Sequence, residues 1–429
     1  MIRRMHYFVV VAVVLLITSS AFSQTTSQLV GTVTSDNAPL PGATVTISSP
    51  ALQGVRTTVT GASGDYNFGA LPPGQYSITI NLQGMQTVRQ TVTLRLAQTS
   101  RADADLKVSS VSEAITVTAG AASVLETPQV STSFDAATIE RLPVGRNIQS
   151  RVLLAPGVNN DGPNNQIVIN GAQSFDNLYL VNGVVVNDTI RGQPQAAVIE
   201  DAIQETTLLT GGISAEYGRF TGGVVNTITK SGGNEFSGSL RDNLSNDKWA
   251  SKTAFHDPVS GVGEADHLSK INPVYESTLG GRIVRDRLWF FAAGRKENSS
   301  ISNQTVGLNL PYTTAGDQKR YEVKLTGNLT SKHTLVGSYL KVQDVSSGTK
   351  FGNIVDLASL RSVGNPIKLT AFHYDGILTS NLLVEGQWSK KDFSINRGRR
   401  ASARRGRRNP SPRHLHRPPR LVADVLRRL

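Results

Sequence analysis

Few residues of this sequence have the types and spacing that metal or phosphate chemistry needs. His256, Asp257 and His267 are candidate metal ligands, but they lie in a stretch rich in Gly, Asp and Ser that is typical of a solvated loop. Residues 161–165, Asp-Gly-Pro-Asn-Asn, offer oxygen ligands for calcium but lack the spacing and closing Glu of an EF-hand, so we interpret them as a turn. The pair Gly222-Gly223 precedes no helical pattern, which favours close packing over a phosphate cradle.

Catalytic motifs are missing from the sequence as well. It contains no Cys, which excludes thiol nucleophiles, disulfides and Cys-ligated metals. It also contains no His-Glu-x-x-His zinc motif, no Gly-x-Ser-x-Gly nucleophile elbow and no Walker A loop. We therefore predict that the protein is not an enzyme and has no cofactor.

The composition favours short strands joined by many turns, with 38% hydrophobic residues, 39 Gly and only 3 Met. The formal net charge is +12, but residues 397–429 contain twelve Arg and one Asp, so the rest of the chain is nearly neutral. Nucleic-acid binding would rest on this tail alone. Because the tail has no Phe, Tyr or Trp for base stacking, nucleic acid is not an expected partner.

The N-terminus has the pattern of an export signal. Arg3 and Arg4 are followed by a ten-residue apolar run at 8–17 and by small residues at Ala21 and Ser23. Ten residues are too few to cross the hydrocarbon of a bilayer as a helix. We predict a signal peptide at residues 1–23, with an uncleaved anchor or a buried strand as the alternatives.

Apolar and polar residues alternate along residues 29–96, in short pieces separated by Gly and Pro. Strands of this kind bury one face each, which favours two sheets packed face to face. The segments 39–45 (Pro-Leu-Pro-Gly-Ala-Thr-Val) and 64–76 (Gly-Asp-Tyr-Asn-Phe through Leu-Pro-Pro-Gly-Gln-Tyr) resemble the carboxypeptidase regulatory-like domain. We predict this β-sandwich at residues 28–108, without peptidase activity because the zinc motif is missing.

Residues 109–232 combine short helical and strand patterns, which predicts a small α+β domain. Two short helices are expected around Pro143, and a strand hairpin about Asn182-Gly183. A glycine-rich run follows, with Tyr217-Gly218-Arg219 and then Gly-Gly-Val-Val-Asn at 222–226. The order of these motifs resembles the plug domain of TonB-dependent outer-membrane receptors. In particular it resembles the Oar-like group, which carries the regulatory-like sandwich in front of the plug.

The stretch that begins this region resembles a Ton box, the short extended segment through which such receptors contact a TonB-type energy-coupling protein. The resemblance implies that an exposed strand pairs its main chain with an edge strand of that protein, which constrains its side chains only loosely. A linker or the first plug strand is the alternative interpretation. The residues of this Ton-box-like segment are Glu113, Ala114, Ile115, Thr116, Val117, Thr118 and Ala119.

Residues 236–396 show longer alternating strands joined by short turns. Tyr321, Val323 and Leu325 alternate with polar neighbours, and the strand returns after a turn near His333. All three Trp lie in this region, as expected of the aromatic girdles of an outer-membrane β-barrel. A second water-soluble β-sandwich is the alternative. We predict a mainly β protein with a β-sandwich, a small α+β plug domain and an incomplete transmembrane β-barrel in the outer membrane.

The predicted barrel is too short to close. About seven strands are expected before Asn396, whereas TonB-dependent barrels have 22 strands around their plug. Residues 397–429 switch to Arg- and Pro-rich sequence without strand alternation, which is typical of GC-rich DNA read out of frame or of a disordered tail. We expect a truncated form that is not competent for transport by itself.

The leading functional hypothesis is therefore a TonB-dependent outer-membrane receptor or transporter for an unidentified substrate. Its implied partners are a TonB-type energy-coupling protein and outer-membrane lipid. The alternative hypothesis is an exported, soluble binding or adhesion protein built from β-domains.

Overall fold

The fold was described from a computed structural model, and it is mainly β, as predicted. The described residues are 25–108, 115–118, 129–141, 147–163, 165–188, 192–195, 197–251, 267–305, 310–330, 332–349, 357–379 and 382–399. The predicted signal peptide, His256, Asp257 and residues 400–429 lie outside them. No helix among the described residues is long and apolar enough to span a membrane.

Alternating strands build the N-terminal sandwich from two five-stranded sheets, in which β1 pairs with β2, β5, β8 and β9, and the second sheet has the order β10-β7-β6-β3-β4. Their inward side chains, among them Leu29, Ile47 and Ile78, form one fully buried core. The strands are β1 (Ser27–Ser35), β2 (Ala38–Pro39), β3 (Thr44–Ser48), β4 (Val55–Val59), β5 (Asp65–Leu71), β6 (Gly74–Asn81), β7 (Val88–Leu94), β8 (Thr99–Arg101), β9 (Ala104–Asp105) and β10 (Ile115–Thr118).

The turn before β5 needs glycine at Gly64. Its φ is +72°, and a Cβ there would collide with the main-chain oxygen of Val33. This close approach carries a main-chain hydrogen bond of 2.8 Å from the Val33 amide to the Gly64 carbonyl. The motif that carries the resemblance thus has a structural reason for its glycine.

The plug domain is a small α+β unit with a mixed five-stranded sheet of order β11-β16-β17-β14-β15 and a separate β12–β13 hairpin. Asn182 and Gly183 both have positive φ and form the tight turn between β14 and β15, as predicted. The elements are β11 (Val130–Asp135), α1 (Ala136–Arg141), α2 (Ile148–Val152), β12 (Val158–Gly162), β13 (Gln166–Ile169), β14 (Leu178–Val181), β15 (Val184–Val185), β16 (Ile203–Gly211) and β17 (Val224–Thr229).

The remaining strands form one nine-stranded sheet, here called the wall. They are β18 (Ser237–Asn246), β19 (Ile271–Val284), β20 (Leu288–Gln304), β21 (Pro311–Thr330), β22 (His333–Thr349), β23 (Arg361–Gly364), β24 (Ile367–Thr379), β25 (Leu382–Phe393) and β26 (Asn396–Arg399). Consecutive long strands pair antiparallel, and the described strands do not close into a barrel. Strand pairing reaches Arg399, slightly beyond the predicted end at Asn396, because β26 pairs with β23.

The outer face of the wall carries many exposed apolar side chains. Along β21, Tyr321 and Val323 are 48% and 46% exposed, whereas their charged neighbours Glu322 and Lys324 are only 2% and 4% exposed. The same outward apolar face continues on neighbouring strands at Leu240, Leu279, Leu335 and Phe372. A water-soluble sandwich buries its apolar face, so this inversion is the pattern of a membrane-spanning wall around a polar interior.

One aromatic expectation was wrong. Trp289 does not lie in an exposed girdle but is fully buried, and its indole Nε1 donates a 2.8 Å hydrogen bond to Asn234. The cause is its position: residue 289 points to the inner face, where the segment between the plug and β18 passes. Trp249, in contrast, is 66% exposed.

Candidate functional site

The central part of the Ton-box-like segment is an edge strand. Ile115–Thr118 form β10, which lies at the end of the second sandwich sheet and pairs in parallel with β7. Its four register pairs run from Ile115 with Val88 to Thr118 with Thr91. Glu113, Ala114 and Ala119 lie outside the described residues. The role of this segment in contacting a coupling protein stays a prediction, and its pairing with the sandwich was not anticipated from the sequence.

Charged side chains join the plug to the wall. A short 3₁₀ helix at Glu200–Ala202 presents Glu200 and Asp201 to the inner face of the wall. Glu200 contacts both Arg295 and Arg320, the second at 3.1 Å between Oε1 and Nη1. Asp201 accepts a hydrogen bond of 3.0 Å from Nε of Arg241. We call the set formed by Glu200, Asp201, Arg241, Glu276, Arg295 and Arg320 the plug–wall ion cluster.

The plug–wall ion cluster is largely withdrawn from solvent. The side chains of Glu200 and Glu276 are 3% and 2% exposed, and those of Arg295 and Arg320 are 10% and 8% exposed. Arg295 also lies 3.1 Å from Glu276 on the neighbouring strand. Buried charges are expensive to leave unpaired, so these groups hold the plug at one position on the wall.

The hairpin at the tip of β14 and β15 makes a second polar contact with the wall. Lys324 donates to the main-chain oxygen of Thr229 at 2.7 Å and to Oδ1 of Asn182 at 3.3 Å. Thr229 in turn donates to Glu322. The plug strands β14 and β17 are thereby tied to the inner face of β21.

Apolar contacts complete this interface. One hydrophobic cluster contains both plug residues, such as Val152 and Leu208, and wall residues, such as Leu340 and Leu369. A smaller cluster joins the plug residues Ile199 and Ala202 to Phe291 and Ala293 of β20. Ion pairs beside buried apolar area make the plug and the described wall a single packed unit.

The sandwich domain contacts the plug through a buried carboxyl group. Glu205 of β16 is 5% exposed, and its Oε1 accepts hydrogen bonds from the Leu96 amide at 3.3 Å and the Thr207 hydroxyl at 3.1 Å. Burial raises the pKa of Glu205 above its usual range, although these hydrogen bonds and Arg95 act in the opposite direction. Nearby, Gln98 donates to the hydroxyl of Ser131 at 2.8 Å.

Of the residues considered for metal or phosphate binding, His267 and Gly222-Gly223 are among those that the structure describes. Nδ1 of His267 lies 3.0 Å from the main-chain oxygen of Ala250, and within the described residues no group of three or more His, Asp or Glu is placed to hold a metal ion. A Cβ at Gly223 would meet Ile169 and the main-chain oxygen of Leu209, so this glycine permits close packing inside the plug.

Comparison with known proteins follows the same division of the chain. Residues 28–107 match the carboxypeptidase regulatory-like domain family, and residues 123–225 match the TonB-dependent receptor plug domain family. Over 298 residues the chain is 33% identical to the TonB-dependent transporter Oar of Myxococcus xanthus, covering 66% of this chain and 28% of Oar.

Two further proteins are similar. The probable TonB-dependent siderophore receptor PirA of Acinetobacter baumannii is 27% identical over 236 residues, covering 50% of this chain and 29% of PirA. The crystal structure of the outer membrane transporter YddB from Escherichia coli shares the fold with a TM-score of 0.50 at 19% identity, covering 62% of this chain and 39% of YddB.

These findings define the class of the protein. The chain combines a carboxypeptidase regulatory-like domain with a TonB-dependent receptor plug domain and is a homologue of the TonB-dependent transporter Oar, which confirms the resemblance stated from the sequence. Among its relatives is the transporter Oar, of which it spans 28%. Receptors of this class lie in the outer membrane with their N-terminal domains in the periplasm, so the predicted location is confirmed.

Proposed function

We propose that this chain acts as a TonB-dependent outer-membrane receptor for a substrate still to be identified. The plug domain fills a passage lined by the wall, and it moves when energy arrives through the Ton-box-like segment. The observation that carries the proposal is the pattern of the wall, which turns buried charged side chains such as Glu322 and Lys324 toward the plug and exposes apolar side chains such as Tyr321 on its outer face. A membrane-embedded wall around a polar plug is the arrangement that transport through a gated passage requires.

Transport also requires that the wall belong to a closed barrel. Within the described residues, β18 pairs only with β19, and β25 pairs only with β24. Each leaves an edge of main-chain amides and carbonyls unpaired, which in lipid costs several kcal/mol per group. We therefore propose that these nine strands are not competent for transport by themselves.

The alternative of an exported soluble binding or adhesion protein is disfavoured by the same wall. Its outward side chains include Leu240, 90% exposed, and Leu279, 52% exposed. Water would then cover exposed apolar side chains on several wall strands, including Leu335 and Phe372, whereas soluble monomers rarely expose a large contiguous apolar patch.

The coupling role is tested with proline. Proline removes an amide donor and forbids continuation of a strand ladder, so Ile115→Pro or Val117→Pro should abolish binding of the periplasmic domain of a TonB-type protein to the full chain in detergent. Thr116→Ser keeps the main chain and should bind like the wild type. The measurement is a binding titration by calorimetry. Unchanged binding by both proline variants would mean that the segment is only a linker.

A further inference from the structure

The sandwich sheet already contains the strand that the coupling protein is proposed to bind. β10 is the last strand of the order β10-β7-β6-β3-β4, and β7 is its one partner within the described residues. A strand has two edges, because the amides of successive residues point to opposite sides. One edge of β10 therefore pairs with β7, and no described strand pairs with the other.

β7, the strand with which β10 pairs, is firmly held in the sandwich. β7 pairs with β6 along its opposite edge, from Ile80 with Val88 to Gly74 with Leu94. Its inward residues Val88, Gln90 and Val92 are buried in the sandwich. Gln90, the register partner of Val117, also donates a 2.8 Å hydrogen bond to the main chain of Asp103 near the other sheet. The edge on which β10 lies is thus fixed by both layers of the domain.

We propose that the sandwich domain is a template that holds residues 115–118 of the Ton-box-like segment extended and offers the outer edge of this strand to the coupling protein. This inference rests on the proposed function. The partner it fits is a protein with its own unpaired edge strand, which adds to β10 as a sixth strand of the sheet. The backbone of residues 115–118 is already ordered on β7 before the partner binds. Binding therefore does not include the loss of conformational entropy that ordering this segment would cost.

The opposite arrangement makes different predictions. If the sandwich withheld β10 from the coupling protein, the strand would have to leave β7 before it could bind. Holding β10 on β7 would then prevent binding, whereas the template allows it. An experiment that locks β10 onto β7 and measures binding of the coupling protein therefore distinguishes the two arrangements.

The chain contains no Cys, so an introduced pair is the one possible disulfide. Thr116 is the register partner of Arg89, which is exposed on β7, and paired strands lie within the Cα separation that a disulfide spans. The test uses the full chain with Thr116→Cys and Arg89→Cys together, oxidised or reduced, against the purified periplasmic domain of a TonB-type protein. The two single-cysteine variants are the matched controls.

The template predicts that the oxidised double variant binds with a Kd within about threefold of the reduced form. It also predicts that a synthetic peptide of residues 111–121 binds at least about tenfold more weakly than the full chain, since the peptide must be ordered on binding. Loss of binding on oxidation with recovery on reduction, or a peptide that binds more tightly than the full chain, would overturn the template. If neither the wild type nor the reduced variants bind, the proposed coupling role fails and the inference fails with it.

Discussion

At the scale of single residues, the informative side chains are ionisable groups removed from water. Glu205 lies between the sandwich and the plug, and Glu200 lies between the plug and the wall. Each connects parts of the chain that are far apart in sequence: Glu205 reaches Leu96, and Glu200 reaches Arg320. These carboxyl groups make the domain contacts sensitive to single substitutions and, for Glu205, to pH.

The raised pKa of Glu205 predicts a pH dependence of stability. Since burial raises the pKa of the folded state above that of the unfolded chain, the protonated acid favours folding below the usual pKa near 4.5, and this stability is lost as pH rises through the folded pKa. Glu205→Gln cannot ionise. We expect thermal unfolding of the variant in detergent to change less between pH 4 and pH 8 than that of the wild type. If the unfolding temperatures of the variant and the wild type changed with pH in parallel, Glu205 would not be a source of the pH dependence of stability.

Removal of the Glu200 charge should loosen the plug. Glu200→Gln leaves Arg295 and Arg320 without their shared carboxylate, and breaking a buried ion pair costs about 3–5 kcal/mol. Hydrogen exchange of the plug amides in the full chain should accelerate. The matched control is Asp317→Asn, because Asp317 forms an exposed pair with Lys319 at 3.9 Å and should change stability by less than about 1 kcal/mol. If Glu200→Gln and Asp317→Asn changed stability and plug hydrogen exchange equally, the burial of the Glu200 ion pairs would not explain the effect.

At the scale of secondary-structure elements, the sandwich has its own core and contacts the rest of the chain at few points. Its buried residues form one hydrophobic cluster that contains no plug or wall residue. The plug, in contrast, shares its hydrophobic cluster with the wall. Independent folding is therefore expected of the sandwich and not of the plug.

A fragment of residues 24–108 should accordingly fold alone as a soluble domain. It retains every sandwich strand except β10. A β-type circular dichroism spectrum with a cooperative melt is the expected result. Ile78→Ala, at a fully buried site, should lower its unfolding free energy by about 2–5 kcal/mol, whereas Val55→Ala, at a site 62% exposed, should change it little. A random-coil spectrum of the unaltered fragment would contradict the domain boundary.

Local patterns predicted the elements but not their long-range partners. The alternation at 321–326 predicted strand β21, and Asn182-Gly183 predicted the β14–β15 hairpin, because period and turn chemistry are local properties. The contact of Arg320 with Glu200 joins residues 120 positions apart, and no local pattern specifies it. The parallel pairing of β10 with β7 is likewise a four-residue register between separate segments. One signal was available: charged residues repeating at every second position of an otherwise apolar strand indicate a polar interior.

At the scale of the whole molecule, the wall separates two environments. Its inner face meets the plug through charged and apolar contacts, and its outer face carries Tyr321, Val323 and Leu325. The sandwich lies at the end of the wall where the turns are short, since Asn328 donates a 3.2 Å hydrogen bond to the main chain of Gln53. This fixes which end of the wall faces the periplasm.

Cysteine labelling in outer-membrane vesicles can test the two faces. Because the chain has no Cys, a single introduced thiol reports one position. Val323→Cys should react with a lipid-soluble maleimide and resist a charged, membrane-impermeant reagent, because its side chain faces the hydrocarbon. Thr326→Cys, at a position 2% exposed, should resist both while the plug is in place. Rapid labelling of Val323→Cys by the charged reagent would indicate an outer face in water.

The length of β21 has a consequence for the height of the wall. Its 20 residues extend about 50 Å along the membrane normal at the tilt usual for such strands, twice the apolar band of about 25 Å. The outward apolar side chains lie in its second half, at Tyr321, Val323, Leu325 and Leu329. The first half, Pro311 to Arg320, therefore stands above the lipid on the side away from the sandwich. The two halves of this strand thus contact different solvents, lipid and water. Polar substitutions on the surface of the upper half should therefore carry no free-energy cost of membrane insertion.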